Sequence, residues 1–317
     1  MIMKSELDAL EANETCDIVS LPSGHKPIGC KWVYKVKCNP DGNVNKYKAR
    51  LVAKGYNQIE GVDYFDSFSP VAKTVTVRMV LALAVVKGWK LNQLDINNAF
   101  LHDYLNGDIY MALPPGYQLA APSQVRKLKR SLYGLKQASR QWNQEFTSQI
   151  LSYGFTQSHH DNCFFVMSTP DVFLVLIVYV DDILLTGSSE DAMESVKRFL
   201  DEQFTIKDLG TAKYFLGLEI AKSQHGMFIT QQKYIKDIIQ DMKMVDAKAV
   251  VTPLASDWHP HVEGSHVLSD PTIYGRLVGR LLYLNFSRPD LTFSVNLLSQ
   301  FMQVPTENHW SGALHVC

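Results

Sequence analysis

Two apolar runs flank a pair of adjacent aspartates just past the middle of the sequence. The run FLVLIVYV, residues 173–180, is rich in β-branched and aromatic residues, and ILL follows Asp181-Asp182. Two such runs predict buried strands joined by a two-residue turn, with both aspartates at the tip of the hairpin. Aspartates are common in turns in any case. Charge at the end of buried strands is costly without a cation, so this setting favours a metal-binding pair.

A third carboxylate lies upstream on a separate predicted strand. Asp95 stands near the end of Leu91–Ile96. Mg²⁺ prefers one or two carboxylates, water and substrate phosphates, and a two-metal site stabilises the attacking and leaving oxygens of a displacement. Spacing alone does not prove that the strands are neighbours. If they are, Asp95, Asp181 and Asp182 are catalytic residues that bind two Mg²⁺ ions, with Mn²⁺ as an alternative.

The remaining hydrophobic patterns predict separate helices and meandering strands, which is an α+β class and not a repeated βαβ arrangement. A turn is predicted over residues 39–42, NPDG. The predicted strands cover 30–38, 47–53, 91–96, 173–180, 183–187, 214–220 and 227–230. The predicted helices cover 3–13, 76–86, 139–153, 191–203, 234–244, 273–286 and 291–302, and the second of these is expected to be buried.

Charge is unevenly distributed although the net charge is only −1. The predicted hairpin between Cys30 and Gly55 is strongly basic, which suits contact with phosphates. Trp32 and Tyr34 lie among its lysines and either stack on unpaired bases or form the buried face of the hairpin; we expect the buried face. The basic residues of this hairpin are Lys31, Lys35, Lys37, Lys46, Lys48, Arg50 and Lys54.

The five cysteines form no CxxC pair, which favours reduced thiols and an intracellular, cytoplasmic protein. No signal peptide is apparent, and the longest apolar run near the middle is far shorter than the ~20 residues of a membrane span, so no membrane partner is expected. Several histidines lack the spacing of zinc ligands and are expected at the surface. These are His159, His160, His259, His261 and His266.

Several ordered strings resemble the reverse transcriptase of copia-type (Pseudoviridae-like) LTR retrotransposons. They are KARLVAKG at 48–55, GVDYFDSFSPVAK at 61–73, QLDINNAFL at 93–101, SLYGLKQA at 131–138, YVDDILLTG at 179–187, KDLGTAKYFLGLEI at 207–220, YGRLVGRLLY at 274–283 and SRPD at 287–290. The resemblance implies an α+β right-hand polymerase of fingers, palm and thumb, in which an antiparallel palm sheet carries the YVDD hairpin.

The same resemblance implies a domain order. Residues 1–24 form an N-terminal lead-in, 25–90 with 110–145 the fingers, and 91–109 with 146–225 the palm. Residues 226–302 form a thumb-like region, and 303–317 begin a connection toward an RNase H domain that this chain lacks. Trp310, Leu314 and Val316 have the spacing of an apolar helix face. We expect that face to be uncovered and the C-terminal helices to be the least stable part.

Residue roles also follow from the resemblance. Asp95, Asp181 and Asp182 match the metal-binding aspartates, and Phe100 matches the aromatic gate that excludes a 2′-hydroxyl; a core phenylalanine is the alternative. The other predicted dNTP-binding residues are Lys48, Arg50, Tyr133 and Lys136. The predicted primer- and template-binding residues are Tyr179, Phe215, Leu216, Gly217, Lys31 and Lys35.

The sequence thus predicts an RNA-directed DNA polymerase that uses dNTPs and an RNA or DNA template with a primer. One alternative is a catalytically silent retrotransposon remnant that keeps the fold and at most binds nucleic acid. Another is a metal-dependent phosphoesterase built on the same carboxylates, although this leaves the basic hairpin and the ordered strings unexplained. The intact aspartates favour the polymerase.

Overall fold

A computed structural model describes residues 2–38, 43–101, 104–117, 124–223 and 226–317, without the side chains at 37, 38, 104 and 106. The turn predicted over 39–42 and the side chain of Lys37 therefore lie outside the described residues. The chain forms two compact units, Met1–Thr211 and Ala212–Cys317. Within the described residues, no helix combines the length and the apolar character needed to cross a bilayer.

The first unit contains helices, strands and two 3₁₀ turns at Gly55–Asn57 and Ala99–Leu101. Its helices are α1 (Ile2–Ala12), α2 (Thr74–Lys87), α3 (Ala138–Tyr153) and α4 (Glu190–Phe204). Its strands are β1 (Cys16–Ser20), β2 (Cys30–Cys38), β3 (Val44–Ala53), β4 (Leu91–Ile96), β5 (Tyr104–Met111), β6 (Gln124–Arg130), β7 (Thr156–Gln157), β8 (Phe164–Ser168), β9 (Phe173–Tyr179), β10 (Asp182–Gly187) and β11 (Ile206–Thr211).

An antiparallel sheet forms the centre of this unit. Among the described residues its strand order is β11-β4-β10-β9-β8-β7. Helices α3 and α4 contribute apolar side chains at helical spacing to the same core as the sheet, so the periodicities predicted for both helices are confirmed. From α3 these are Trp142, Phe146 and Ile150, and from α4 they are Met193, Val196 and Leu200.

A second core lies between a small sheet of order β1-β6-β5, helix α1 and the hairpin β2–β3. Leu51 on β3 is fully buried there, and Trp32 packs partly against it. The expectation that Tyr34 also belongs to a buried face is wrong, because Tyr34 is 59% exposed. Alternation along β2 correctly indicated which side chains share a face, but only the part of that face near the core is covered.

Helix α2 is buried on one side only, which corrects the expectation of a wholly buried helix. Val77, Val80 and Leu81 are inaccessible, whereas Val75 and Val86 are largely exposed. The helix is apolar all round, so its sequence carries no period that could indicate the covered face. Its end is as expected, since Gly88 caps it in the left-handed conformation with φ 68°.

The second unit begins with three strands and continues as a helical bundle. Its strands are β12 (Tyr214–Phe215), β13 (Leu218–Ser223) and β14 (Gly226–Thr230). Its helices are α5 (Gln232–Asp241), α6 (Pro271–Leu284), α7 (Thr292–Ser299) and α8 (Glu307–Val316), with a 3₁₀ turn at Pro289–Leu291. A single core joins all four helices.

The expectation of an uncovered C-terminal helix is wrong. Ala313 and Val316 of α8 are buried in the core shared with α6 and α7, and Trp310 and Leu314 pack against it. Gly312 allows the indole of Trp258 to approach the helix, because a Cβ at that position would lie 2.9 Å from the ring. The apolar face predicted on α8 is real, and its partners come from helices earlier in the same unit.

Candidate active site

The turn between β9 and β10 carries Asp181 and is defined by its register. Tyr179 pairs with Asp182, so the two turn residues are Val180 and Asp181. The predicted turn was therefore one residue too late, and Asp182 belongs to a strand. Val180 has φ 56°, an unfavourable conformation for a β-branched residue. The indole nitrogen of Trp142 on α3 donates to Val180 O at 2.7 Å and holds this turn.

Strand β4 brings Asp95 to the same hairpin. Asp182 lies directly opposite Asp95 in the antiparallel ladder, so both side chains project from one face, with Cβ atoms about 4.5–5.5 Å apart. The amide of Ile96 donates to Asp181 O at 2.9 Å, which ties the turn to the end of β4. The structure therefore brings together the three aspartates that the sequence singled out. On the far side of β4, Lys207 of β11 lies opposite Asp95 in the antiparallel ladder. This lysine was not singled out from the sequence.

The electrostatics of this cluster are those of crowded carboxylates. Burial raises the pKa of Asp182, and the negative charges of Asp181 and Asp95 raise it further, while a hydrogen bond from Gln93 opposes the shift. That bond is long, 3.5 Å from Gln93 Nε2 to Asp182 Oδ1. Each proton or cation that binds here relieves like-charge repulsion.

The carboxylates of this cluster are the type of ligand that a hard divalent cation prefers. Among the described residues, no three acidic, imidazole or thiol side chains form a ready-made metal cage. Mg²⁺ does not require such a cage, because it keeps several waters and binds through one or two carboxylates together with substrate phosphates. Carboxylate oxygens of Asp95, Asp181 and Asp182 are the groups that would hold it.

Three residues predicted to bind dNTP meet beside the aspartates. The rings of Phe100 and Tyr133 contact edge to face, with centroids 4.9 Å apart, and the guanidinium of Arg50 stacks on Tyr133 at 4.4 Å. Burial raises the pKa of Tyr133; Arg50 lowers it, and the charges of Asp181 and Asp95 raise it. Tyr133 is thus within electrostatic reach of both carboxylates. Phe100 is only partly buried and packs against both cores of the first unit, so the gate and core roles are compatible.

The hairpin β2–β3 presents its basic residues on one face. Lys35 pairs with Lys48 across the strands, and Arg50 follows on the same face opposite Val33. Like charges directly opposite each other are destabilising in a hairpin. The Nε of Arg50 is buried and lacks a hydrogen-bond partner in the described part of the chain. This cationic face, defined as Lys31, Lys35, Lys46, Lys48 and Arg50, leads toward Tyr133.

Lys136 is engaged within the protein. Its ammonium donates to Gln58 O at 3.3 Å and to the Tyr64 hydroxyl at 3.1 Å, and it stacks on the Tyr64 ring. Gln58 was not singled out from the sequence. Its only sequence signal is its place shortly after the KARLVAKG string, and a lone glutamine in a polar loop carries no chemistry that would have marked it.

The predicted primer-binding residues Phe215, Leu216 and Gly217 belong to the second unit. Phe215 ends β12, and Leu216 and Gly217 form the tight turn to β13, where both have positive φ. The single strand predicted over 214–220 is therefore two strands joined by this turn. The Tyr283 hydroxyl of α6 donates to Leu216 O, and a Cβ on Gly217 would lie 2.7 Å from that hydroxyl. Tyr179, the remaining predicted contact, lies in the first unit at the end of β9 and is half-exposed.

The histidines expected at the surface are there: His159, His160, His259, His261 and His266 are all exposed. His309, in contrast, is buried, and nothing in its sequence context predicted this. Its Nδ1 accepts from Thr306 N at 3.0 Å, its Nε2 lies 2.8 Å from Pro260 O, and its ring stacks on Phe301. It closes the N-terminus of α8, so its role is structural.

Comparisons with known proteins identify the family to which the chain is similar. The family model described as reverse transcriptase (RNA-dependent DNA polymerase) matches residues 13–256. The chain is 44% identical over 309 residues to the retrovirus-related Pol polyprotein from transposon RE1 of Arabidopsis thaliana, covering 97% of this chain and 21% of that protein. It is 37% identical to the Pol polyprotein from transposon TNT 1-94 of Nicotiana tabacum, covering 98% of this chain and 24% of that protein.

Among solved structures, a foamy viral protease-reverse transcriptase in complex with double-stranded DNA aligns with 99% of this chain and 46% of its own. The TM-score is 0.47 and the identity 13%. The chain spans only about a fifth to a quarter of the length of the curated relatives. On the family match and these relatives, the chain belongs to the reverse transcriptase (RNA-dependent DNA polymerase) family, in the form carried by copia-type retrotransposon Pol polyproteins.

Proposed function

We propose that this chain is an RNA-directed DNA polymerase that extends a primer on an RNA or DNA template. The observation that carries the proposal is the strand register that sets Asp182 opposite Asp95, with Asp181 in the adjoining turn. In the reaction, the primer 3′-hydroxyl attacks the α-phosphate of a dNTP, a new phosphodiester bond forms and pyrophosphate leaves. The sheet β11-β4-β10-β9-β8-β7 is then the palm, the hairpin β2–β3 belongs to the fingers, and the bundle of the second unit is thumb-like.

Asp95, Asp181 and Asp182 would hold two Mg²⁺ ions. Bound metal of this kind stabilises the attacking and leaving oxygens of an in-line displacement. Burial, and then the charges of Asp181 and Asp95, raise the pKa of Asp182; a bound cation would stabilise the ionised carboxylate against both, which supports this assignment. The chain's own contribution is to keep the carboxylates together where β4 ends and β10 begins, through the Ile96–Asp181 and Trp142–Val180 hydrogen bonds.

The incoming nucleotide would lie against Phe100, Tyr133 and Arg50. The Phe100 ring would occupy the space of a 2′-hydroxyl and so favour deoxynucleotides. Arg50 and the neighbouring lysines of the cationic face would bind phosphate oxygens, for which a guanidinium is well suited. The Leu216-Gly217 turn would hold the primer end, and Lys136 would contribute through its place in the loop that carries Tyr133.

Primer extension with the purified chain tests the proposal. Asp181→Asn should abolish extension in Mg²⁺ while leaving primer–template affinity within about twofold, because the substitution removes charge without changing the turn. Asp171→Asn is the matched control, since Asp171 is an exposed aspartate at the other end of β9. Equal extension by Asp181→Asn and the parent chain would remove the catalytic assignment.

A nucleic-acid-binding protein without catalysis is the second candidate, supported by the cationic face of β2–β3. It predicts tight primer–template binding by the parent chain and no extension under any metal condition. Binding and extension are measured on the same preparation, so the two candidates give different results in one experiment.

A further inference from the structure

Two glycines let the backbone after β3 touch the backbone before α3. A Cβ on Gly55 would lie 2.0 Å from Gly134 O, and a Cβ on Gly134 would lie 2.2 Å from Ala53 O. The amide of Ala53 also donates to Tyr133 O at 2.8 Å. Gly134 has φ 92°, so glycine is required there for conformation as well as for space. The loop that carries Tyr133 is therefore seated directly on the end of β3.

A buried glutamine joins these two segments through its side chain. Gln58 is only 4% exposed. Its Oε1 accepts from Lys136 N at 2.8 Å, and its Nε2 donates to Gln137 Oε1 at 3.0 Å. The orientation of the amide is fixed by chemistry, because the Lys136 N–H can only donate and must face the oxygen. Gln137 in turn donates from Nε2 to Asp63 O at 3.3 Å. We call Gln58 and Gln137 the glutamine clasp.

The clasp holds the loop that carries Tyr133. The amide of Lys136 donates to Gln58, and Lys136 lies three residues after Tyr133 in the same loop. Tyr133 contacts both Phe100 and Arg50. If the Gln58 amide is removed, its buried partners Lys136 N and Gln137 Oε1 are left unpaired. Leaving a buried polar group unpaired costs more than the net gain from the hydrogen bond itself. Disturbing the clasp should therefore shift the Tyr133 ring before it unfolds the unit.

We propose that Gln58 is a positioning residue for the dNTP site: through the glutamine clasp it fixes the 133–136 loop, and with it the Tyr133 ring between Arg50 and Phe100. This inference rests on the proposed polymerase function. It assigns a role to a residue that is not expected to touch nucleotide, metal or primer.

The test compares Gln58→Leu with Gln144→Leu in the full chain, since Gln144 is an exposed glutamine on α3. We expect Gln58→Leu to raise KM for dNTP about tenfold, with primer–template Kd unchanged. Selection of dNTP over rNTP should also weaken, because the Phe100 ring rests against Tyr133. Gln58→Glu retains the acceptor for Lys136 N but loses the donor to Gln137 Oε1 and buries a charge, so it should recover only part of the loss. The double variant Gln58→Leu/Gln137→Leu should be no worse than Gln58→Leu, because the two side chains act as one unit.

Amide hydrogen exchange at Lys136 gives a readout that does not depend on catalysis. Exchange there should accelerate in Gln58→Leu and remain as in the parent in Gln144→Leu. Faster exchange with an unchanged KM for dNTP and unchanged sugar selection would overturn the positioning role. If Gln58→Leu fails to fold, Gln58→Glu and Gln137→Leu carry the same comparison.

Failure of the proposed function is recognised separately. If the parent chain extends no primer, dNTP binding is measured by equilibrium dialysis with [α-³²P]dATP and Mg²⁺. Binding that weakens in Gln58→Leu but not in Gln144→Leu would support the clasp while refuting polymerase activity. Absence of dATP binding by the parent would overturn both.

Discussion

The hydrogen bond from Trp142 to Val180 should control the turn that carries Asp181, and Trp142→Phe isolates it. The substitution removes the indole donor at 2.7 Å but keeps an aromatic ring in the core. Val180 has φ 56°, and a strained backbone of this kind costs on the order of 1–3 kcal/mol unless its surroundings hold it. Without the indole, the turn is free to relax and to move Asp181 away from Asp95.

The magnitude follows from two contributions. Loss of the hydrogen bond costs about 0.5–1.5 kcal/mol, or up to about 3 kcal/mol if the carbonyl stays dry. Trp142 is only 2% exposed, and the smaller ring leaves a cavity that costs about 1–2 kcal/mol. We therefore expect a loss of about 2–4 kcal/mol in the free energy of unfolding of the first unit. Phe146→Leu is the matched control: Phe146 is also buried on α3, and its replacement should cost about 1–2 kcal/mol.

Two measurements separate the packing role of Trp142 from its role in positioning the turn. Urea unfolding gives the loss of stability, and hydrogen exchange of the folded protein reports on the turn. The reporter is the amide of Ile96, which donates to Asp181 O at 2.9 Å and should exchange faster when the turn relaxes. Trp142→Phe should accelerate this amide and lower primer extension by more than Phe146→Leu does. Equal exchange at Ile96 in the two variants would refute the reasoning and leave Trp142 as a packing residue only.

Three further predictions concern sugar choice, phosphate binding and pH. Phe100→Val should raise ribonucleotide incorporation relative to deoxynucleotide in single-nucleotide extension, and unchanged selectivity would return Phe100 to a purely core role. Replacing Lys35, Lys46 and Lys48 by glutamine should weaken primer–template binding. The slope of log Kd against log salt should fall by about 0.7–0.9 for each phosphate that the variant no longer neutralises. An unchanged slope would mean that this face is merely solvated. Burial lowers the pKa of His309, so the unfolded state binds the proton more readily. The contribution of His309 to the stability of the second unit should therefore be full above pH about 6.5 and be lost as pH drops below it. Urea midpoints measured against pH check this, and His309→Gln should flatten the curve.

Local patterns were enough to predict the helices of the first unit, its strands β2, β3, β4, β9 and β10, and the identity of the proposed metal-binding aspartates, but its other strands were not predicted. The run before Asp181-Asp182 specified a strand because β-branched and aromatic side chains suit a buried, pleated surface, and Trp142, Phe146 and Ile150 specified α3 by their spacing. The errors have local causes as well. The turn was placed one residue late because a valine with positive φ leaves no mark in a sequence.

Other errors arose because burial depends on distant parts of the chain. Helix α2 is apolar all round, so its pattern could not reveal that Val75 and Val86 face outward. Trp32, Tyr34 and Leu51 lie on the same face of the hairpin β2–β3. The core covers Leu51 on that face but leaves Tyr34 exposed. The apolar face of α8 is covered by α6 and α7, which the spacing of Trp310, Leu314 and Val316 could not indicate.

By itself, the sequence singled out the side chains that we propose carry chemistry: the three aspartates, the basic hairpin, and the aromatic and basic residues Phe100, Tyr133 and Arg50. Only the tertiary structure decided which of them meet. The register of β10 against β4 sets Asp182 opposite Asp95 although the two are far apart in the chain, and the Gly55–Gly134 contact seats Tyr133 beneath Arg50. Gln58 became visible only there, because a glutamine's role depends entirely on its partners, and partners far apart in sequence are chosen by packing and hydrogen bonding in the folded chain.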